Sequence, residues 1–161
     1  MKKVTIFLNI ITYILSAIIT IGVIIFANLT SVPPTHKIGG NGNFGLIGFF
    51  YLFPFIIIFM TMTINYLNKY MYTNLLNKTI RIITCTSFFV IVLITGITFK
   101  RAFKLNSLLF EISPIYHGRE NIPLLTMYSN EIFFNTSTFF VIVSICFFIS
   151  GVMNFNKKNL L

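Results

Sequence analysis

Four stretches of this chain, residues 4–27, 46–64, 82–99 and 132–153, contain no Lys, Arg, Asp, Glu or His. Each holds between 18 and 24 residues, and at ~1.5 Å rise per residue each makes a helix of roughly the ~30 Å needed to cross a bilayer core. One charge at mid-membrane costs about 3 kcal/mol on insertion scales, so its absence from all four stretches is the pattern that a transmembrane helix requires. Every charged residue falls between or outside them. A soluble fold is disfavoured as well, because only 9% of the 161 residues are charged and 56% are hydrophobic, whereas soluble domains carry about 25% charged residues. The expected fold is an all-α integral membrane protein, a single domain over residues 1–161 built as a four-helix transmembrane bundle.

The first stretch follows Lys2 and Lys3, as a secretory signal peptide would. Signal h-regions end within about 15 apolar residues. This one exceeds that length and lacks an A-x-A-like exit, so it is read as the first membrane span. With the N-terminus in the cytoplasm, the inner side carries Lys2, Lys3, Lys69, Lys78, Arg81, Lys157 and Lys158. The outer side carries Lys37, Lys100, Arg101, Lys104 and Arg119. The positive-inside rule then places both termini in the cytoplasm of a multi-pass cell-membrane protein.

All three acids, Glu111, Glu120 and Glu131, fall in the segment 100–131, so the formal charge of +9 is concentrated elsewhere. An inner face without acids suits anionic headgroups, and no basic stretch is long enough for nucleic-acid binding. Cys85 and Cys146 sit inside predicted spans without a C-x-x-C partner, and are read as reduced packing residues. Their similar depth allows the third and fourth spans to bring them together.

Between the spans, residues 30–45 are rich in Pro and Gly. Gly39, Gly40, Gly42 and Gly45 are read as glycines that let a short first loop fold tightly. Pro54 interrupts the second span and removes one backbone hydrogen bond there. Residues 65–81 read as an interfacial cytoplasmic connector, with Tyr66, Tyr70 and Tyr72 at headgroup level. Residues 100–131 form the longer third loop, with a short membrane-surface helix expected over 105–112 and ended by Ser113-Pro114. It alone combines aromatic anchors with charges, and its candidate partner-binding residues are Phe110, Tyr116, His117, Arg119, Glu120 and Tyr128.

Catalytic patterns are missing from the sequence. There is no H-E-x-x-H and no P-loop. His36 and His117 with Glu111 or Glu120 lack metal-ligand spacing, so no metal, cofactor or enzyme activity is expected. A transport path would have to use Asn9, Thr20, Thr61, Thr63, Thr84, Thr86, Ser87, Asn135 and Ser144, because no span carries an ionisable side chain of the kind that proton- and ion-coupled carriers use.

The run Val32-Pro33-Pro34-Thr35-His36, then Gly42-Asn43-Phe44-Gly45 and Pro54, resembles the N-terminal hairpin of the SdpI-like bacterial membrane family. Pro34, His36, Gly45 and Pro54 fit its pattern. Lys37 and Ile38 stand where that family has an aromatic residue and Asn. The resemblance covers residues 4–64 and implies a protein that protects its producer by binding a secreted peptide toxin, a role that needs no catalytic residue. The alternative expectation is an accessory subunit of a membrane transporter or secretion assembly.

Overall fold

The computed structural model describes residues 2–36, 43–112 and 122–158. Its elements in chain order are α1 (Lys2–Leu29), α2 (Phe44–Asn74), α3 (Asn77–Ile112), a 3-10 turn (Met127–Ser129), α4 (Asn130–Phe133) and α5 (Thr136–Lys158). The fold is all-α, and α1, α2, α3 and α5 are long and apolar enough to cross a membrane.

The helices pack in the order α1, α2, α5, α3, with α1 and α3 at the two edges of the bundle. Neighbours α1 and α2 are antiparallel. Their contact uses one face of α1, formed by the buried residues Ser16, Thr20, Val23, Ile24 and Ala27 at helical spacing. The small side chains let the backbones approach, and Ser16 and Thr20 return their hydroxyl protons to the carbonyls of Tyr13 and Ser16 in their own helix. Tyr13 reaches across, with its ring stacked on Phe59 and edge-on to Tyr66. Its hydroxyl lies 3.3 Å from that of Thr63.

Parallel packing joins α2 to α5. The Cys146 thiol reaches toward the Met60 carbonyl at 3.9 Å, the Ser150 hydroxyl donates to the Ile64 carbonyl at 3.2 Å, and the Asn154 amide donates to the Asn68 carbonyl at 3.2 Å. All three pairs are 86 positions apart. A constant offset means that the two helices run side by side in one register. Cys146, Ser150 and Asn154 recur every fourth residue and are fully buried, so the seam is a stripe of small polar side chains hydrogen-bonded to a neighbouring backbone. Asn154 also donates to the Asn68 side chain at 2.8 Å.

On the other side of α5, α3 packs antiparallel, with Gly151 facing Thr84 and Phe88 against Phe148. None of the apolar window of α3 is buried, and its buried residues, Ile80, Ala102 and Leu109, lie toward its ends.

Three expected boundaries differ from the structure. The connector read over 65–81 reduces to Leu75 and Leu76, because α2 continues to Asn74 and carries Tyr66, Tyr70 and Tyr72 on its last turns. The surface helix read over 105–112 is the end of α3, which runs unbroken for 36 residues, or ~54 Å, well beyond the bilayer core. Neither 65–74 nor 100–112 contains Gly or Pro, so nothing stops a helix that has left the apolar block. The fourth span starts at Thr136 rather than near 132, because the Asn135 side chain accepts from the Ser137 N–H at 2.8 Å and caps a new helix there. Pro54 lies exposed inside α2 without ending it.

Candidate functional site

The antiparallel hairpins bring the segments on either side of 37–42 and of 113–121 to the same end of the bundle, the loop end. The start of α1, the end of α5 and the 75–76 turn lie at the opposite end. The loop end is held together by a buried group of amides and hydroxyls. Asn43 caps α2 by accepting from the Leu46 N–H at 3.2 Å. It also exchanges two hydrogen bonds of 2.9 Å with the amide of Asn130. Asn130, with no exposed surface, donates further to the Thr30 hydroxyl at 3.0 Å, and Thr30 donates to the Ala27 carbonyl at 2.7 Å. One side chain on α4 thereby ties the end of α1 to the start of α2.

Gly45 is required by this arrangement. It lies in the first turn of α2, and a Cβ there would stand 2.5 Å from the Thr30 hydroxyl and 2.7 Å from the Asn130 amide. The reading of Gly45 as one of the glycines that let the first loop fold tightly is corrected accordingly: it lies inside a helix and makes room there. Gly39, Gly40 and Gly42 lie outside the described residues.

The first and third loops are joined directly. The Val32 N–H donates to the Met127 carbonyl at 3.2 Å, and the Tyr128 hydroxyl donates to the His36 carbonyl at 3.1 Å. Asn28 donates to the Phe134 carbonyl at 2.7 Å, and Asn106 near the end of α3 donates to the Ile122 carbonyl at 3.1 Å. The long tail of α3 therefore serves as a wall for the third loop, with Ala102 and Leu109 buried on its inner face and Phe99 edge-on to Phe133.

These contacts redistribute the expected site residues. Tyr128, expected as an exposed anchor, is 5% exposed and latches the two loops together. Phe110 is exposed on α3, His36 is exposed, and Pro34 is half-buried. Tyr116, His117, Arg119 and Glu120 lie outside the described residues. Among the described residues no three of His, Cys, Asp and Glu come together. Of the residues proposed for a transport path, Asn9, Thr61 and Thr86 are exposed, and Thr20, Thr63 and Thr84 donate to carbonyls of their own helices. Cys85 is exposed and Cys146 buried, and both thiols are free.

Beside the latch, a groove of about 300 Å³ opens between α1 and α5. Ile21, Ile24, Ile25, Leu29 and Phe139 give it apolar walls, and Asn28, Asn135 and Thr136 give it a polar rim at the loop end. Sequence reasoning missed Thr30, Asn43 and Asn130. No protein-family model, curated protein or solved structure matches this chain.

Proposed function

We propose that this is a non-enzymatic, multi-pass cell-membrane protein that confers immunity to a secreted peptide toxin by binding it at the loop end, with both termini in the cytoplasm. The observation that supports this reading best is the groove between α1 and α5, apolar along its walls and polar at its rim beside the joined first and third loops. An amphipathic peptide arriving from outside would place apolar side chains in the groove and meet Asn28, Asn135 and Thr136 at the rim. The resemblance of Pro34, His36, Gly45 and Pro54 to the SdpI-like hairpin points the same way.

Tyr128 is buried in the packed third loop, so the specificity determinants are assigned to Phe110, exposed on the tail of α3, and to residues 113–121, which include Tyr116, His117, Arg119 and Glu120. The test is expression of the chain in a sensitive cell exposed to the peptide encoded beside it. Replacing 113–121 by a neutral linker of equal length, or filling the groove with Ile25→Trp, should abolish protection while the protein remains in the membrane. Full protection by both variants would overturn the assignment.

An accessory-subunit reading is favoured by one separate observation, the absence of any buried residue in the apolar window of α3. A helix so uncovered offers a face to a second membrane subunit. Failure to protect, together with stable co-purification of such a subunit in mild detergent, would select this alternative.

A further inference from the structure

A second groove, of about 390 Å³, lies between α3 and α5 at the end that carries the 75–76 turn, lined by Arg81, Thr84, Cys85, Val152 and Phe155. Its mouth is cationic and its depth apolar. Arg81 is exposed, and its guanidinium sits 4.8 Å above the Phe155 ring. A cation–π contact of this kind holds the guanidinium over the ring at the groove while its N–H donors can still meet an anion. Arg81 immediately precedes the charge-free stretch of α3, so it stands at headgroup depth, and Cys85 lies one turn, or ~6 Å, deeper.

The surroundings select an anion. Seven of the twelve basic residues, Lys2, Lys3, Lys69, Lys78, Arg81, Lys157 and Lys158, belong to this end of the chain's topology, and Glu111 and Glu131 belong to the other. A free phosphate would use the guanidinium and leave the apolar wall uncovered. A phospholipid uses both.

We infer that this groove holds one anionic phospholipid, its phosphodiester paired with Arg81 and one acyl chain lying along Thr84, Cys85 and Val152. This does not depend on the immunity reading, since it concerns the opposite end of the molecule.

The full chain, purified in mild detergent and loaded with phosphatidylglycerol or phosphatidylcholine, can be examined by native mass spectrometry. One phosphatidylglycerol should be retained, and phosphatidylcholine, which has the same phosphodiester but would bring its trimethylammonium to this basic end, should not replace it. Arg81→Gln should lower retention at least tenfold. Lys69→Gln, which removes the same charge from the same end but does not line the groove, should leave retention unchanged. Val152→Trp, which keeps every charge and fills the apolar wall, should lower retention as Arg81→Gln does.

The exposed Cys85 gives a readout in the unsubstituted protein: phosphatidylglycerol should slow its reaction with a membrane-permeant maleimide severalfold, and phosphatidylcholine should not. Equal losses in Arg81→Gln and Lys69→Gln would show diffuse charge and overturn the site. Displacement of the lipid by millimolar inorganic phosphate, or a Cys85 rate indifferent to phosphatidylglycerol, would overturn it too.

Discussion

Replacing Asn130 by Ala should weaken the whole loop end, because three hydrogen bonds disappear with one side chain: the two exchanged with Asn43 and the one given to Thr30. A net hydrogen bond is worth about 1 kcal/mol in soluble proteins and about 0.6 kcal/mol between membrane helices. Three of them amount to roughly 2–3 kcal/mol. For a chain of this size each kcal/mol moves the midpoint by about 2–4 °C, so the expected fall is roughly 4–12 °C.

Thermal unfolding in detergent can be followed by far-UV circular dichroism and by the reaction of Cys146, which is buried in the fold and becomes accessible on unfolding. Asn43→Ala should cost about as much, since it loses the two bonds with Asn130 and the cap on the Leu46 N–H, while Asn130 keeps its bond to Thr30. The double variant should fall short of the sum by roughly 1–2 kcal/mol, the signature of two shared bonds. Asn130→Asp has nearly the same shape but presents an oxygen to the Asn43 carbonyl oxygen and buries a charge, so it should destabilise at least as much as Ala. A midpoint within 1 °C of the parent for Asn130→Ala, or strict additivity with Asn43→Ala, would refute the view that this amide joins the helices.

Other outcomes follow from separate contacts. Gly151→Ala should cost about 1–3 kcal/mol by overpacking against Thr84, and Thr84→Ala in the same chain should restore part of that loss, measured by the same thermal scan. Tyr128→Phe should lower stability by about 1 kcal/mol and raise the hydrogen-exchange rate of residues around His36, whose carbonyl loses its donor. Single cysteines introduced after residues 41 and 118, in a chain lacking Cys85 and Cys146, should both react with an impermeant thiol reagent from one side of the membrane; labelling from opposite sides would break the four-span topology.

The four spans were legible because the cost of a buried charge writes itself into the sequence as charge-free blocks. The ends of the helices were not legible from the same signal. A block ends where charge is tolerated again, whereas a helix ends where its backbone is interrupted or capped. Lys100, Arg101 and Lys104 marked the edge of the apolar block of α3, yet each is a good helix former and the helix continues to Ile112. Asn135 shows the converse, since a polar residue inside an apolar run caps α5 through Ser137.

The candidate site was harder to read because its contacts join residues far apart in the chain. Asn130 meets Asn43 and Thr30 across 87 and 100 positions, and no local spacing announces such a meeting. The stripe Cys146, Ser150 and Asn154 recurs every fourth residue, but nothing in that spacing points to Met60 and Ile64, whose backbone carbonyls it meets and which differ from no other residue in having one. Tyr128 marks the limit of compositional reasoning, because an aromatic hydroxyl among charges can be a ligand anchor or a latch, and only the position of the His36 carbonyl distinguishes them. Its burial makes it part of the packing between the first and third loops. The short segment that follows it also reaches the groove rim, since Asn28 donates to the Phe134 carbonyl there while Asn130 binds the end of α1 to the start of α2, so residues 130–134 tie the groove to the junction of the two hairpins.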